Sequence, residues 1–209
     1  MKKNVSPYLL HPWHGVSLGE TAPEICTAYI EIVPSDTVKY EIDKLSGIIK
    51  VDRPQAFSNM VPALYGFFPQ TYCGAEVGKL CTEKTGIAEI YGDRDPLDVC
   101  VITEKVIPRN NILVQVIPIG GFRMIDKNEA DDKIIAVLKG DEVYEQWKDI
   151  SEVHPSIINR LKHYFMTYKK NPNEDSNRVN IAAIYGREEA INVIQKSQKD
   201  YTDNFNVCM

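Results

Sequence analysis

The sequence predicts a β-rich α+β domain in which several strands close into a barrel. Its 209 residues suit one large domain. Hydrophobic residues make up 44% of the chain and charged residues 25%, the usual composition of a protein with a packed core. About seven strand-like segments and two helical patterns divide the chain, and so many strands in one chain favour a closed barrel.

The predicted strands are short β-branched or aromatic segments bounded by turn residues. They cover residues 27–33, 37–42, 47–51, 97–103, 112–119, 133–138 and 178–185. Gly47 suits the positive φ of a hairpin turn between the second and third strands. Side chains alternate along a strand, so Lys39 and Glu41 should face one side and Tyr40 the other.

Two helices are predicted in the C-terminal part of the chain. From Pro155, a residue that suits a first helical turn, apolar residues follow helical spacing as far as Tyr168. A second helix is expected from Arg187 towards Asp200. Residues 73–91 fit neither pattern, and we expect a polar excursion or an extra hairpin there.

The charge balance and the apolar runs exclude several classes of protein. Twenty-four basic against twenty-nine acidic residues give a net charge of −5. A general nucleic-acid binder has the opposite sign, because its affinity depends on Lys and Arg. Apolar runs of about five residues fall far short of the ~20 that a membrane-spanning helix needs. We therefore expect neither a nucleic acid nor a membrane as a partner.

The cysteines and the N-terminal residues predict a cytoplasmic location. The five cysteines are widely spaced and include no CxxC pair, which is typical of reduced thiols. Pro7 and Pro12 interrupt the stretch that follows Lys2 and Lys3, so this stretch lacks the apolar region of a signal peptide.

The most informative segment is 91–98, which carries Asp93, Asp95 and Asp98 at the start of a predicted strand. Such crowding of carboxylates is unfavourable unless a positive charge lies among them, and hard divalent cations prefer these oxygen ligands. Taken alone, the Asp-x-Asp pattern favours a solvated acidic turn. A calcium loop is excluded, because Leu97 occupies a ligand position and Asp98 stands where its glycine belongs.

A second acidic group, Asp126 and Asp131, precedes the strand that starts at Lys133. It repeats the placement of carboxylates at a strand end, which would bring both groups to one rim of the barrel. Arg53 ends another strand and is placed to reach a phosphate with its planar guanidinium. Each of these residues, taken singly, is also compatible with a surface ion pair.

The sequence resembles the soluble family I inorganic pyrophosphatases. The matching stretches follow the family order from about residue 27 to 190. They are residues 30–34, 38–44, 51–53, 64–66, 92–98, 131–133 and 163–169. The Asp-x-Asp-Pro-x-Asp segment together with the Lys-Tyr-Glu-Ile-Asp-Lys hairpin is a strong signal, whereas either fragment alone would be weak.

The resemblance implies a five-stranded OB-like barrel with flanking helices and a Mg²⁺-dependent hydrolysis of pyrophosphate to two phosphates. Several Mg²⁺ ions would be held by Asp93, Asp98 and Asp131, with Glu31 and Asp126 holding or orienting further ions. Asp95 would accept a proton from the attacking water. The phosphates would be bound by Lys39, Arg53, Tyr65, Lys133, Tyr168 and Lys169, with Glu41 as a supporting acid.

The charges of these residues are consistent with that chemistry. Together they carry a net charge of about −3, which would repel a pyrophosphate anion unless divalent cations neutralise it. Cations would also lower the pKa of an attacking water and stabilise the leaving phosphate.

Some features depart from the family pattern. Val61 stands where many bacterial members have a tyrosine, and Lys127 follows Asp126 where an acid is frequent. We expect a single domain. Residues 1–26 would form an N-terminal extension to it, and residues 73–91 an insertion within it. We expect a homo-oligomer and leave the number of subunits open.

Three alternatives remain at this point. A different nucleotide pyrophosphohydrolase would share the metal and the phosphate, although the chain lacks a Walker loop and a Nudix helix. An OB-like barrel would also suit a nucleic-acid-binding module, which needs aromatic platforms in a basic groove rather than an acidic rim. The third alternative is a metal-binding structural protein without turnover.

Overall fold

In the computed structural model, which describes residues 10–169 and 179–205, ten strands form an eight-stranded sheet and a two-stranded hairpin, and three α-helices flank them. The strands are β1 (Cys26–Ile32), β2 (Val38–Ile42), β3 (Ile49–Pro54), β4 (Leu64–Phe67), β5 (Tyr91–Gly92), β6 (Asp98–Ile102), β7 (Ile112–Asp126), β8 (Glu129–Ala130), β9 (Lys133–Leu138) and β10 (Val179–Gly186). The helices are α1 (Ala75–Thr85), α2 (Pro155–Thr167) and α3 (Arg187–Phe205), and a 3₁₀ turn spans Ile150–Glu152.

Five of the strands close into a ring in the order β1, β4, β6, β9 and β7, with β7 returning to β1. All neighbours in the ring are antiparallel except β6 and β9, which run parallel. The predicted β-rich α+β fold with a five-stranded ring and flanking helices is confirmed. The hairpin of β2 and β3 forms a separate two-stranded sheet.

Strand β7 is longer than the sequence indicates, since it continues past residue 119 to Asp126. Gly120 and Gly121 are residues that commonly end a strand. In the structure they lie within β7, at the point where β10 packs closely against it. A Cβ on Gly121 would lie 2.5 Å from the Tyr185 ring, and one on Gly120 would lie 2.5 Å from the Tyr185 carbonyl oxygen. The extension therefore lets β10 pair with β7 and carries Asp126 to the rim.

The expectation of a polar excursion or hairpin at 73–91 was wrong, because this region contains helix α1. The Asp200 carboxylate of α3 accepts hydrogen bonds from the backbone N–H groups of Gly74, Glu76 and Val77 at 2.9, 2.9 and 3.0 Å. This capping group comes from a distant part of the chain, so local sequence could not indicate it. The predicted helices at 155–168 and 187–200 are confirmed, with α3 ending later than expected.

Three hydrophobic clusters form the core of the described residues. One contains Val99 together with Val193 of α3, and the second contains Phe122 together with Phe165 of α2. The third contains Trp13 and Phe67 together with Tyr201 of α3. The predicted start of the last strand, Arg178, lies outside the described residues. Within residues 10–169 and 179–205, none of the helices has the length and apolar character that a membrane span requires.

Candidate active site

A cavity of about 530 Å³ opens at one rim of the ring, where β6, β7 and β9 meet α2 and the β2–β3 hairpin. Every residue predicted for the site lines this cavity except Glu31 and Glu41. The lining residues are Ile32, Lys39, Arg53, Ala56, Tyr65, Asp93, Asp95, Asp98, Asp126, Glu129, Asp131, Lys133, Tyr164, Phe165, Tyr168 and Lys169. The two acidic groups and the cations therefore share one space, as the sequence predicts.

The acidic loop before β6 is shaped by a close backbone approach. Gly92 lies against Cys73, and a Cβ on this glycine would be 2.1 Å from the Cys73 carbonyl oxygen. Arg94 adopts a φ of 66°, and the backbone N–H of Asp95 donates to Asp93 Oδ1 at 3.0 Å. The Cys73 N–H in turn donates to the Asp95 carbonyl at 2.8 Å. This tight turn directs the Asp93 and Asp95 side chains into the cavity.

The parallel pairing of β6 with β9 places Asp98 opposite Lys133. Lys133 is only 2% exposed, and its ammonium donates to both Asp98 and Asp131. Tyr65 Oη donates to Asp98 Oδ2 at 2.6 Å. Burial alone would lower the pKa of Lys133, but Asp131 and then Asp98 outweigh it and hold the pKa well above its usual value. Lys133 is therefore a permanent positive charge in the wall.

Asp93 completes this wall and shows the cost of crowding carboxylates. Burial, and next the negative charge of Asp131, raise the pKa of Asp93 well above its usual value, and the two carboxyl groups are in hydrogen-bonding contact. Two carboxyl groups in such close contact are stable only when a proton or a cation lies between them. Among residues 10–169 and 179–205, no group of three or more His, Cys, Asp or Glu side chains is arranged to hold a metal ion. The Lys133 ammonium lies between Asp98 and Asp131.

Glu31 and Asp126 occupy different positions relative to the cavity. Glu31 is 7% exposed, does not line the cavity, and accepts a hydrogen bond from the Ile42 backbone N–H at 2.7 Å. Burial raises the pKa of Glu31 to about 8. Asp126 lines the cavity and accepts from Lys169 Nζ at 2.7 Å. Of the two, Asp126 has direct access to a ligand.

The β2–β3 hairpin places positively charged side chains on the opposite side of the cavity. Lys39 Nζ lies 2.9 Å from Glu41 Oε2 and 2.9 Å from Asp52 Oδ2, so Lys39 and Glu41 share a face, as alternation predicts. Arg53 also pairs with Asp52. Glu41 also pairs with Lys50, at 3.4 Å, and among the described residues it is linked to the cavity lining through Lys39.

Three site residues were missed from sequence. Asp52 pairs with both Lys39 and Arg53, and it stands between Val51 and Arg53 in a stretch that already matched the family. Lys44, at the hairpin turn, pairs with Asp95. Both lie within matching stretches, which was the available signal. Glu129 lines the cavity from β8 and had no sequence signal.

The end of α2 supplies the aromatic wall. Tyr168 follows the last helical residue and stacks on Tyr164 with ring centroids 5.2 Å apart. Lys169 Nζ lies 5.2 Å from the centroid of the Tyr168 ring. The predicted donors Tyr65, Tyr168 and Lys169 thus all reach the cavity.

Comparisons with known proteins agree with this geometry. The family model described as inorganic pyrophosphatase matches residues 28–202. The inorganic pyrophosphatase of Chlamydia caviae is 47% identical over 98% of this chain and 97% of its own, and the soluble inorganic pyrophosphatase of Oryza sativa subsp. japonica is 37% identical over 91% and 79%.

Solved structures show the same fold. The crystal structure of inorganic pyrophosphatase from Thermus thermophilus aligns with a TM-score of 0.77 at 25% identity, covering 93% of this chain and 99% of that one. The inorganic pyrophosphatase of Helicobacter pylori aligns with a TM-score of 0.70 at 30% identity, covering 86% and 94%. On the strength of the family model, the near full-length relatives and the shared fold, this chain belongs to the inorganic pyrophosphatase family.

Proposed function

We propose that the protein hydrolyses pyrophosphate to two phosphates in the rim cavity and uses Mg²⁺ as its cofactor. The observation that carries the proposal is the composition of one cavity. Crowded carboxylates form one wall, and cationic and phenolic donors form the others. The phosphate group at each end of the substrate is dianionic, so it binds to the cationic and phenolic donors. The acidic wall would repel such an anion unless divalent cations neutralise it.

The acidic wall fits hard divalent cations. Its acidic side chains supply carboxylate oxygens, the ligands that Mg²⁺ prefers. Asp93, Asp98 and Asp131 would hold the cations, with Asp126 at the edge and Glu31 acting from beneath the surface. The raised pKa of Asp93 supports this assignment, because the cause includes a neighbouring carboxylate that a cation would neutralise. When bound, the cations supply neutralising charge and lower the pKa of the water they coordinate.

Asp95 accepts the proton of the attacking water. Its side chain is 46% exposed, whereas the carboxylates of Asp98 and Asp131, which accept hydrogen bonds from Lys133, are 22% and 11% exposed. A half-exposed carboxylate at the cavity mouth is open to the water from which a general base must take a proton. Its partner, Lys44, is itself 55% exposed, and an ion pair so open to solvent contributes little.

The remaining polar groups bind and orient the substrate. Lys39 and Arg53 reach from the hairpin, and Lys169 with Tyr168 from the end of α2. Arg53 can donate two parallel hydrogen bonds to one phosphate. Glu41 supports this set by fixing the Lys39 ammonium at 2.9 Å. Lys133 and Tyr65, which both donate hydrogen bonds to Asp98, are the remaining donors and lie beside the acidic wall.

The proposal also covers the domain organisation, the oligomeric state and the cellular location of the protein. The chain is one domain with an N-terminal extension at 1–26 and an insertion at 73–91, and it acts as a homo-oligomer in the cytoplasm. Cys26, Cys73, Cys81 and Cys100 carry free thiols, which is typical of a reducing compartment.

The decisive experiment measures phosphate release from pyrophosphate with Mg²⁺ and with EDTA. We expect turnover only with Mg²⁺, and Asp95→Asn should reduce kcat by a factor of about 10²–10⁴ while the protein keeps its fold and its Mg²⁺ affinity. Turnover of Asp95→Asn at the wild-type rate would remove Asp95 from its role. Absence of phosphate release from the wild type would refute the function.

A comparison of substrates separates this function from the alternatives. A nucleotide pyrophosphohydrolase would prefer ATP to pyrophosphate under Mg²⁺, whereas we expect the reverse. A nucleic-acid-binding module would shift an oligonucleotide in a gel without metal, in a salt-dependent way. We expect no shift, because the exposed rim is acidic.

A further inference from the structure

The short segment between β8 and β9 carries part of the active site without belonging to any strand. It consists of Asp131 and Asp132, and it leads directly into Lys133. One backbone hydrogen bond ties it to β7, from Asp131 N–H to the Met124 carbonyl at 3.0 Å. The direction of the Asp131 carboxylate therefore depends on what holds the side of the segment that faces away from the cavity.

Asp132 provides that hold. It is 3% exposed and lies outside the cavity lining, whereas its neighbours on both sides line the cavity. Its Oδ2 accepts hydrogen bonds from Arg123 Nε at 3.2 Å and from Tyr185 Oη at 3.0 Å. Arg123 is 2% exposed and donates from Nη2 to Glu189 Oε1 at 2.9 Å. We call Arg123, Asp132, Tyr185 and Glu189 the rear cluster.

The rear cluster joins the segment to three other elements. Arg123 belongs to β7, Tyr185 to β10 and Glu189 to the first turn of α3. The Arg123 guanidinium lies 5.1 Å from the centroid of the Tyr185 ring. A Cβ on Gly121 would lie 2.5 Å from Tyr185 Oη, so the chain has its smallest residue where this tyrosine crosses β7. The tyrosine can reach Asp132 only because of that glycine.

Stability alone gives a weak reason for this cluster. A buried ion pair is on average no more stabilising than well-packed apolar side chains of similar volume. Asp132 Oδ1 is also buried without a hydrogen-bond partner, which is a cost that an apolar residue would avoid. What the cluster does provide is a fixed direction for the backbone on either side of Asp132.

We propose that Arg123, Asp132 and Tyr185 are positioning residues that set the affinity of the acidic wall for divalent cations. They hold the Asp131 carboxylate and the Lys133 ammonium in place from behind, and touch neither substrate nor cation themselves. This inference rests on the proposed function, since it assumes that Asp131 binds a cation. Residues that orient metal ligands typically change metal affinity by a factor of 10–100 when they are removed.

The test measures Mg²⁺ binding by isothermal titration calorimetry in the absence of substrate. Asp132→Ala should weaken Mg²⁺ binding by about tenfold. Tyr185→Phe keeps the ring and removes one hydrogen bond to Asp132, so it should weaken binding by about threefold. The matched control is Asp141→Ala. Asp141 is 1% exposed and accepts hydrogen bonds from Thr103 and from the backbone of Glu104, Val143 and Tyr144, outside the cavity lining. We expect this control to lower Tm and leave Mg²⁺ affinity unchanged.

Each outcome supports or overturns the inference. Wild-type Mg²⁺ affinity in Asp132→Ala would overturn it, as would wild-type affinity in Tyr185→Phe if the alanine variant does not fold. An equal loss of affinity in Asp141→Ala would also overturn it, because affinity would then simply follow stability. If the wild type itself neither binds Mg²⁺ nor releases phosphate from pyrophosphate, it is the proposed function that fails.

Discussion

Replacing Lys133 by methionine removes the positive charge that neutralises the acidic wall. The change keeps the length and apolar stem of the side chain but leaves Asp98 and Asp131 without their shared partner. Lys133 is 2% exposed, and its partners Asp98 and Asp131 are 22% and 11% exposed, so solvent replaces only part of the lost contacts. Breaking a buried ion pair by removing one member costs about 3–5 kcal/mol of folding free energy. In a chain of this size, that corresponds to a fall in Tm of about 6–20 °C.

The assay is thermal unfolding followed by circular dichroism, in EDTA and in saturating Mg²⁺. We expect the full loss in EDTA and a smaller loss with Mg²⁺, because cations bound to the same carboxylates replace part of the missing charge. Lys79→Met is the control, since Lys79 is 72% exposed and forms only a surface pair at 3.9 Å. It should change Tm by no more than about 1–2 °C in either medium.

The result that would refute this reasoning is a loss of stability that is the same in EDTA and in Mg²⁺. Such a result would mean that Lys133 and the cations do not act on the same carboxylates. A Lys133→Met protein as stable as the wild type in EDTA would equally contradict the account, because the acidic wall would then need no counter-charge.

Three further predictions follow from the site. Glu31 has a pKa of about 8 in the folded protein, against 4.5 as the ordinary value, so its contribution to metal-free stability is complete below pH 4.5 and is lost as the pH rises through about 8. Urea unfolding in EDTA across that range should show this decline, and Glu31→Gln should flatten it; an unchanged slope in the variant would assign the decline to other groups. Arg53→Met should raise KM for pyrophosphate by about tenfold or more with little change in Tm, because Arg53 is exposed and placed to bind phosphate. A wild-type KM in steady-state kinetics would show that Arg53 does not bind the substrate. Gly92→Ala should lower both Tm and kcat/KM, because its Cβ would meet the Cys73 carbonyl and displace Asp93, and wild-type values of both would show that the loop tolerates the shift.

Much of the fold was predictable because its strands are short apolar segments with clear turn residues between them. The hairpin of β2 and β3 followed from Gly47 and from the alternation of Lys39 with Tyr40. Helix α2 followed from Pro155 and the spacing of apolar residues after it. These signals are local, so the sequence displays them directly.

The elements that were missed depend on contacts between distant residues. Helix α1 is capped by Asp200, which lies more than a hundred positions further along the chain. Strand β7 runs through Gly120 and Gly121 because Tyr185 packs against them. Neither a long-range cap nor a close approach of this kind leaves a pattern in neighbouring residues.

The candidate site was predictable to the extent that its residues stand in short, recognisable stretches. Asp93, Asp95 and Asp98 share one loop, and that loop enters the cavity as expected. The sequence could not indicate that Glu31 would lie beneath the surface rather than in the lining. Nor could it show that the Lys133 ammonium would bridge two of the carboxylates, since that depends on the parallel pairing of β6 with β9.

The most direct test of the account is a crystal structure of the wild-type protein soaked in Mn²⁺, with anomalous diffraction used to locate the ions. The account predicts anomalous peaks within coordination distance of Asp93, Asp98 and Asp131, in the cavity that also contains Asp95. Peaks confined to other surfaces of the molecule, with these three carboxylates unliganded, would contradict it.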